Sequence, residues 1–240
     1  MRKAASLRVG TWNLDKGGTQ EVAAQQRLVL AAQRADVWVL TETRDDITPG
    51  RTFIATHAEQ QDLAVSKDLV AGNRWVSIFA RDCRRARLPV SDAQRTVAVL
   101  LEYSPIGRVI IFGTVMPWPA SKPGYSEAAA AQAADWRRYR SAYPDASLIV
   151  AGDFNCDMDK GANFPGEAAL QELREAMAEC GLVCATVPSE TPQGWFVDPP
   201  IDHVLVQPGL RTQIVAGWEG TLDGHTLSDH SGMIVEVQRG

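Results

Sequence analysis

The sequence predicts an α/β fold in which two β-sheets pack together and helices cover their outer faces. Short apolar runs of β-type residues recur along the whole chain, and stretches with helical spacing of apolar residues lie between them. Neither an internal repeat nor a low-complexity linker interrupts this order. Layered sheets and helices are a stable solution where hairpins mix with helical crossovers. We expect residues 1–240 to form a single domain.

Eight apolar runs predict the strands. Each is rich in Val, Ile, Leu or aromatic residues and ends at polar or turn-forming residues. The tetrapeptide SPIG at 104–107 contains Pro and Gly, so residues 95–116 are predicted to form a β-hairpin. The predicted strands are residues 7–14, 36–42, 74–80, 95–103, 108–116, 146–154, 201–206 and 232–237.

Three stretches, residues 19–35, 126–143 and 166–180, have the apolar spacing of helices. We interpret their apolar stripes as faces that pack against the core. The residues expected on these faces are Val22, Val29 and Ala32 in the first helix, Trp136, Tyr139 and Tyr143 in the second, and Leu170, Leu173, Met177 and Cys180 in the third. Residues 117–125 and 185–200, which are rich in Pro, Gly and Trp, are expected to be surface loops.

Composition and charge favour a globular protein without a strongly basic character. Apolar residues make up 45% of the chain, charged residues 22%, and the net charge is −5. Proteins that bind long nucleic acids without specificity usually present a basic face, so this balance argues against that class. Two basic stretches, residues 81–87 and 137–140, could follow a nucleic-acid backbone or form a solvated charged face.

The cysteines and the chain start indicate no disulfide framework and no export signal. Cysteines at positions 83, 156, 180 and 184 match no common zinc spacing, and we interpret Cys180 and Cys184 as buried thiols, with metal ligation as the alternative. The first residues lack the apolar segment of a secretory signal, and no run approaches 18 consecutive apolar residues. We therefore expect a cytoplasmic protein with no membrane span.

Polar groups collect at the ends of the predicted strands. Asn13, Glu42 and Asp153 each end a strand, Asp202 and His203 begin one, and Asp229 and His230 precede the last. Asp153 and Asn155 are two residues apart, so they can point the same way. One strand-end Asn or Asp commonly forms a turn. Because several occur together, they indicate an oxygen-rich site of the kind that binds Mg²⁺ or Mn²⁺.

These motifs, taken in order, resemble those of the endonuclease/exonuclease/phosphatase superfamily. They are TWN (11–13), TE (41–42), GDFN (152–155), IDH (201–203) and SDH (228–230). The resemblance covers nearly the whole chain. It implies the DNase I-like fold, a four-layer α/β sandwich of two mixed β-sheets flanked by helices, and metal-dependent hydrolysis of phosphate esters.

The resemblance also implies a role for each matching residue. The metal ligands would be Glu42, Asn13 and Asp229, with Mg²⁺ or Mn²⁺ as the cofactor. The catalytic group would be Asp153 and Asn155 around the attacking water and phosphate, and His230 oriented by Asp202. Asn13 and Asn155 would also bind the substrate, and Trp118 and Trp195 could stack on a base or pack within their own loops. Both the number of metals and the identity of the general base stay open.

One position departs from the family pattern. Many relatives carry a His or Tyr that donates to the phosphate or the leaving group, and here the matching residue is Val115. Valine cannot donate a hydrogen bond, and losing one such donor commonly costs about 10²- to 10³-fold in rate. His225 is a candidate substitute and His57 a weaker one, with a solvated loop histidine as the alternative for each.

We therefore expect a monomeric, Mg²⁺-dependent phosphodiesterase of the nuclease type. Its partner would be a phosphate-ester substrate, with nucleic acid as one candidate. Two alternatives stay open at this point. The first is a phosphomonoesterase of the same superfamily, and the second is a binding module that kept the fold and lost the chemistry.

Overall fold

The computed structural model describes residues 5–57, 72–81, 84–118, 121, 123–159, 164–187, 189, 191–192 and 194–240. The helices are α1 (Gln20–Ala32), α2 (Tyr125–Ala142) and α3 (Glu167–Glu179), and a 3-10 turn spans Asp15–Gly17. The strands are β1 (Ser6–Asn13), β2 (Val37–Arg44), β3 (Phe53–His57), β4 (Asn73–Arg81), β5 (Arg85–Leu88), β6 (Thr96–Ser104), β7 (Gly107–Val115), β8 (Ser147–Asp153), β9 (Val183–Cys184), β10 (Asp202–Val206), β11 (Leu210–Trp218), β12 (Thr221–Leu222), β13 (His225–Thr226) and β14 (Gly232–Arg239).

The strands form two six-stranded sheets and one short hairpin. The first sheet has the order β11-β14-β1-β2-β4-β3, and the second has the order β5-β6-β7-β8-β10-β9. Strands β1 and β2 run parallel, as do β7 and β8, while the other pairs run antiparallel. Both sheets are therefore mixed, and the predicted α/β class is confirmed.

The two sheets pack face to face through alternate residues of their strands. Leu7 and Val9 of β1 and Val39 of β2 belong to one buried cluster with Ile111 of β7 and Ile149 of β8. Side chains two apart on a strand share a face, so this alternation gives each sheet one intersheet face. We call this cluster the intersheet core.

The helices bury the outer faces of the two sheets. Leu30 of α1 packs with Trp38 and Phe79 on the first sheet. On the second sheet, Trp136 of α2 and Leu173 of α3 share a cluster with strand residues such as Phe112. The result is four layers, with α1 outside one sheet and α2 and α3 outside the other.

The predicted face of the first helix is partly wrong. Its buried residues are Ala23, Gln26 and Leu30, while Val22 and Val29 lie at the edge of the core and Ala32 is exposed. Gln26 is buried because its side-chain amide donates to the carbonyls of Leu14 and Leu227, at 2.9 and 2.7 Å. A polar residue thus occupies the centre of this face, which an apolar stripe alone cannot reveal. In the other two helices the expected residues are buried or half-buried against the core.

The eight predicted strands are present, and the remaining strands lie at or near sheet edges. Strands β3, β5 and β11 pair on one side only, and β5 overlaps the basic stretch 81–87 at residues 85–87. The second basic stretch is engaged within the protein, since Arg137 pairs with Glu179 at 3.1 Å and Arg138 with Asp135 at 2.8 Å. For the second stretch, these ion pairs favour a charged face over a nucleic-acid surface.

Cysteines Cys180 and Cys184 have separate partners. The Cys180 thiol is buried against the carbonyl of Ala133 at 3.6 Å, whereas the Cys184 sulfur lies 3.6 Å from the Thr186 hydroxyl. Cys180 is buried as expected, whereas Cys184 is half-buried, and their separate partners favour two thiols over a shared metal site. Cys83 lies outside the described residues. None of the helices in the described part of the chain combines the length and hydrophobicity needed to span a membrane.

The intersheet distance depends on a glycine in β7. A β-carbon added at Gly113 would lie 2.7 Å from Val76 Cγ1 and 3.1 Å from Val39 Cγ1, both on the first sheet. We therefore expect Gly113→Ala to lower the free energy of unfolding by about 1–3 kcal/mol, as overpacking does in well-packed cores. Urea unfolding at equilibrium measures the change.

The matched control is Gly124→Ser at the start of α2. Gly124 has a φ of −69° and no neighbouring atom nearer than 4.0 Å to an added β-carbon. Serine is a preferred helix N-cap, so this variant should keep or slightly raise stability. Equal stabilities for Gly113→Ala and the wild type would contradict the close approach of the sheets at this point.

Candidate active site at the end of the intersheet core

The intersheet faces become polar where several strands end. Along β1 the face runs from Leu7 and Val9 to Asn13, and along β8 from Ile149 to Asp153. Strand β10 runs antiparallel to β8, and its first residue, Asp202, lies opposite Asp153. Asn13, Asp153 and Asp202 are each only 1% exposed. The site is therefore a polar continuation of the apolar core, built from both sheets.

Asn13 joins the two sheets at this end. Its amide nitrogen donates to Asp153 Oδ2 at 3.1 Å and to Glu42 Oε1 at 3.3 Å. Its amide oxygen accepts from the backbone N–H of Asp15 at 2.9 Å, which closes the turn after β1. One side chain thus links two carboxylates from different sheets.

The carboxylate of Asp153 is buried and satisfied by local donors. Its Oδ1 accepts from the backbone N–H of Asn155 at 2.8 Å, and its Oδ2 from the side-chain amide of Asn155 at 3.2 Å. That amide also donates to the carbonyl of Met116 at 2.8 Å. Burial and the nearby charge of Asp202 raise the pKa of Asp153 to about 7, against the opposing charge of His230.

Glu42 reaches the site because its backbone leaves the strand geometry. By alternation it would share a face with Trp38 and Leu40, which pack under α1. Its φ of +45° breaks the alternation and turns the carboxylate toward Asn13. Its second oxygen, Oε2, lies 3.6 Å from the ammonium of Lys16.

Half-buried His230 pairs with buried Asp202 opposite Asp153. His230 Nδ1 lies 2.6 Å from Asp202 Oδ2, and the other oxygen of Asp202 has no hydrogen-bond partner among the described residues. Burial lowers the pKa of His230, but the charge and hydrogen bond of Asp202 and the charge of Asp153 outweigh it and raise the pKa to about 10. The pair fixes the ring and leaves Nε2 facing away from Asp202.

Acidic oxygens next to this pair fit a hard cation. Asp229 has a side chain 73% exposed, and its Oδ1 lies 3.8 Å from His230 Nε2. Burial and the charge of Asp229 raise the pKa of Asp15, although Lys16 and His230 oppose the shift. A divalent cation would offset this excess of negative charge. Asp15 was not identified as a site residue from the sequence, although it is an acidic residue two positions after Asn13.

A second arrangement could also hold a cation. Ligand atoms of Asp153, Asp202 and His230 lie within 4.8 Å of one another. Here, however, His230 Nδ1 is bonded to Asp202, and both oxygens of Asp153 accept hydrogen bonds from protein donors. Glu42 is less enclosed: its side chain is 17% exposed, and its Oε2 lies 3.6 Å from the ammonium of Lys16 and accepts no hydrogen bond from a buried donor among the described residues. We therefore favour a cation at Glu42 over one in the second cluster.

Near the site, the backbones of β7 and β8 approach each other closely. A β-carbon at Gly152 would lie 2.0 Å from the carbonyl oxygen of Thr114, and Gly152 has a φ of +136°. Only glycine meets both conditions, which explains the first residue of GDFN. His203, next to Asp202 on β10, points to the opposite face, and its Nε2 lies 2.9 Å from the carbonyl of Cys156. It supports the segment that carries Asn155.

Ser228 links the segment before the last strand to the end of the first strand. Its hydroxyl donates to the carbonyl of Asn13 at 2.7 Å and accepts from the backbone N–H of His230 at 3.0 Å. The indole of Trp12 donates to the carbonyl of His230 at 3.0 Å. These bonds, which sequence reasoning missed, hold His230 in register with the end of β1.

Val115 and the two candidate histidines do not supply the missing donor. Val115 lies opposite Asp153 in the parallel pair of β7 and β8 and is buried in the intersheet core. His225 is exposed on β13, and no hydrogen bond or ion pair in the described residues joins it to the site. His57 lies on the edge strand β3, with Nδ1 2.6 Å from the Ser77 hydroxyl.

Aromatic side chains lie on loops that follow or face these strands. The ring of Trp118, 39% exposed, packs 5.4 Å from the ring of Trp75, centroid to centroid. Trp195 is half-buried over Gly217 of β11. Val197, two residues further along the same loop, is 87% exposed, and its N–H donates to Glu219, which also accepts from Ser231 beside His230.

A family model matches residues 10–230 of the chain, and its description is endonuclease/exonuclease/phosphatase family. The chain belongs to this family. The match includes every motif that carried the resemblance, from TWN to SDH. A sequence comparison with curated proteins gives no match.

Solved structures share the fold at low sequence identity. The human Nocturnin catalytic domain with bound sulfate is 15% identical, with a TM-score of 0.70, and the alignment covers 98% of this chain and 94% of that one. D. rerio TDP2 with a single-stranded DNA product is 15% identical, with a TM-score of 0.66 and coverage of 98% and 99%. The endonuclease domain of the telomere-specific retrotransposon TRAS1 is 16% identical, with a TM-score of 0.65 and coverage of 98% and 99%. These likenesses confirm the DNase I-like four-layer fold.

Ser228→Ala tests the link between β1 and His230. The variant leaves the buried carbonyl of Asn13 and the N–H of His230 without this partner, so we expect a loss of about 1–3 kcal/mol in the free energy of unfolding. Ser189→Ala is the matched control, because its hydroxyl makes one exposed bond, to Asp159 at 3.1 Å. Urea unfolding compares the two, and equal losses would contradict a special role for Ser228.

Proposed function

We propose that the protein is a Mg²⁺- or Mn²⁺-dependent phosphodiesterase of the nuclease type. One observation carries the proposal: the hydrogen-bonded group Asn13–Asp153–Asn155 faces the Asp202–His230 pair at one end of the intersheet core. Such a site offers acceptor oxygens on one side and an imidazole on the other, with Glu42 alongside. This combination suits the hydrolysis of a phosphate ester.

The metal would be held by Glu42, Asn13 and Asp229, with Asp15 as an additional oxygen ligand. These groups are carboxylates and an amide, the ligand types that Mg²⁺ and Mn²⁺ prefer. When bound, the metal would act as a Lewis acid that offsets charge on the phosphoryl oxygens.

Asp153 would orient the attacking water. Its carboxylate is fixed by three protein donors on Asn13 and Asn155, so its direction is set before the substrate arrives. Preorganised polar groups of this kind need no rearrangement during the reaction. Both hydrogens of the Asn155 amide are used by Met116 and Asp153, so Asn155 would bind the attacking water through its amide oxygen.

His230 would contact the phosphate through Nε2. Asp202 holds Nδ1 at 2.6 Å, which keeps the ring in one orientation and stabilises its protonated form. The ring can then donate to a phosphoryl oxygen as negative charge develops there.

The aromatic residues support a substrate that carries bases. Trp118, stacked on Trp75, and Trp195 offer flat apolar surfaces on which a nucleobase could stack. The fold is shared with TDP2 in complex with a DNA product and with an endonuclease domain, which makes nucleic acid a reasonable substrate class to test. Location in the cytoplasm and a monomeric state stay predictions.

The first test concerns the metal site. Glu42→Gln keeps the shape of the side chain and removes its charge, so we expect the dissociation constant for Mn²⁺ to rise at least about 10-fold in calorimetric titration. Glu236→Gln, on a half-buried residue of β14, is the control. Asp202→Asn tests the second cluster, and a larger effect there than in Glu42→Gln would move the cation away from Glu42.

The second test concerns hydrolysis. With Mg²⁺, the wild type should hydrolyse bis-p-nitrophenyl phosphate and a short single-stranded oligonucleotide, and chelator should abolish both reactions. Asp153→Asn and His230→Ala should each lower the rate by about 10²- to 10⁴-fold. Activity confined to monoesters would replace the diesterase with a phosphomonoesterase. A wild type that binds Mn²⁺ and hydrolyses none of these substrates would favour the binding module.

A further inference from the structure

The turn after β1 has an unusual backbone. Asp15, Lys16, Gly17 and Gly18 follow one another with φ values of 43°, 57°, 74° and 49°. Left-handed backbone is unfavourable for residues with a side chain, and it persists where the surroundings hold it. Glycine would adopt this backbone with less strain than Asp15 or Lys16. The presence of two side chains here therefore suggests that they have a function.

Several contacts hold this turn in place. The N–H of Asp15 donates to Asn13 Oδ1 at 2.9 Å, and the N–H of Gly17 donates to the carbonyl of Leu14 at 2.8 Å. Arg44 donates to the carbonyl of Gly18 at 3.1 Å. The turn therefore has a defined position next to the proposed metal site.

The turn puts an ammonium group beside Glu42. Lys16 Nζ lies 3.6 Å from Glu42 Oε2, and the Lys16 side chain is 37% exposed. Exposed pairs of this kind contribute at most about 1 kcal/mol to stability. The flexible stem of lysine lets the charge move several bonds away from its resting place.

The neighbouring arginines are engaged elsewhere. Arg44 forms two hydrogen bonds with Asp46, and Arg74 lies 2.8 Å from Asp45. On the second sheet, the position that carries a donor in many relatives is Val115, buried in the intersheet core. Lys16 is thus well placed to bring a further positive charge to a bound phosphate.

We propose that Lys16 is a phosphate-binding residue that exchanges its partner Glu42 for the phosphate of the substrate. In this proposal, which rests on the proposed function, Lys16 leaves Glu42 Oε2 when a divalent cation binds to that carboxylate. Its ammonium then contacts a non-bridging oxygen of the substrate phosphate. A donor from the turn of the first sheet would then take the place of the donor that Val115 lacks on the second sheet.

Two binding measurements test this without any reaction. Lys16→Met keeps an unbranched stem and removes the charge. Because the ammonium no longer competes for Glu42, Mn²⁺ titrated alone should bind about 3- to 10-fold more tightly. Inorganic phosphate, titrated in saturating Mn²⁺, should bind about 10-fold more weakly, since a charge-assisted contact is gone. Lys16→Arg should bind phosphate within about threefold of the wild type.

Arg211→Met is the matched control. Arg211 is exposed on β11 and lies opposite Gln238, toward the end of β14 that is far from His230. The Arg211→Met substitution changes the net charge by the same amount as Lys16→Met, and it should leave both dissociation constants unchanged. Thermal unfolding checks that the Lys16 variants are folded, and Lys16→Gln replaces Lys16→Met if that variant does not fold.

The outcomes separate this inference from the proposed function. If Lys16→Met binds Mn²⁺ and phosphate as Arg211→Met does, Lys16 is a counterion of the turn and the inference is wrong. If both constants shift as expected while the wild type hydrolyses no substrate, the inference stands and the hydrolase proposal fails. Where the wild type is active, Lys16→Met should also lower kcat/KM for the diester by about 10²-fold.

Discussion

The buried carboxylate of Asp153 is the constraint on which the site depends. A carboxylate removed from water is unfavourable unless donors satisfy it. Asn13 and Asn155 supply those donors, and Asn13 comes from the other sheet. The bonds that solvate Asp153 therefore also set the position of β1 relative to β8. The hydrogen bond from Asn13 to Asp153 therefore contributes both to the packing of the two sheets and to the alignment of the polar groups.

Much of the fold could be predicted because its central strands are buried on both faces. Such strands give continuous apolar runs, which is why 146–154 and 108–116 were found within a residue or two of their ends. Strand β11 was missed, since none of its residues is fully buried and its pairing partner, β14, lies more than a dozen residues away. An edge strand depends on pairing with its neighbour, so its own sequence pattern predicts it poorly.

The candidate site was predictable to the extent that strand ends meet. Asn13, Asp153 and Asp202 lie together because alternation continues the intersheet face to its polar end. Glu42 reaches them only through a left-handed residue that breaks the alternation. Ser228 joins Asn13 across 215 residues, a pairing that no local pattern encodes. Sequence reasoning thus finds which residues end strands, while turns and distant contacts decide where their side chains point.

Neighbouring residues of one motif contact different parts of the molecule. A motif match alone therefore does not assign a role to each of its residues. In IDH, Asp202 faces His230 while His203 faces the opposite way and supports the backbone near Asn155. In the strand before the loop, Val115 keeps the position of a donor but belongs to the core. Val115 supplies no donor there, and the described residues that bring positive charge to this end of the core include His230 and Lys16 of the turn after β1. The family motifs identify which residues surround the site. The hydrogen bonds of this chain determine which of those residues face the site and which support the neighbouring backbone.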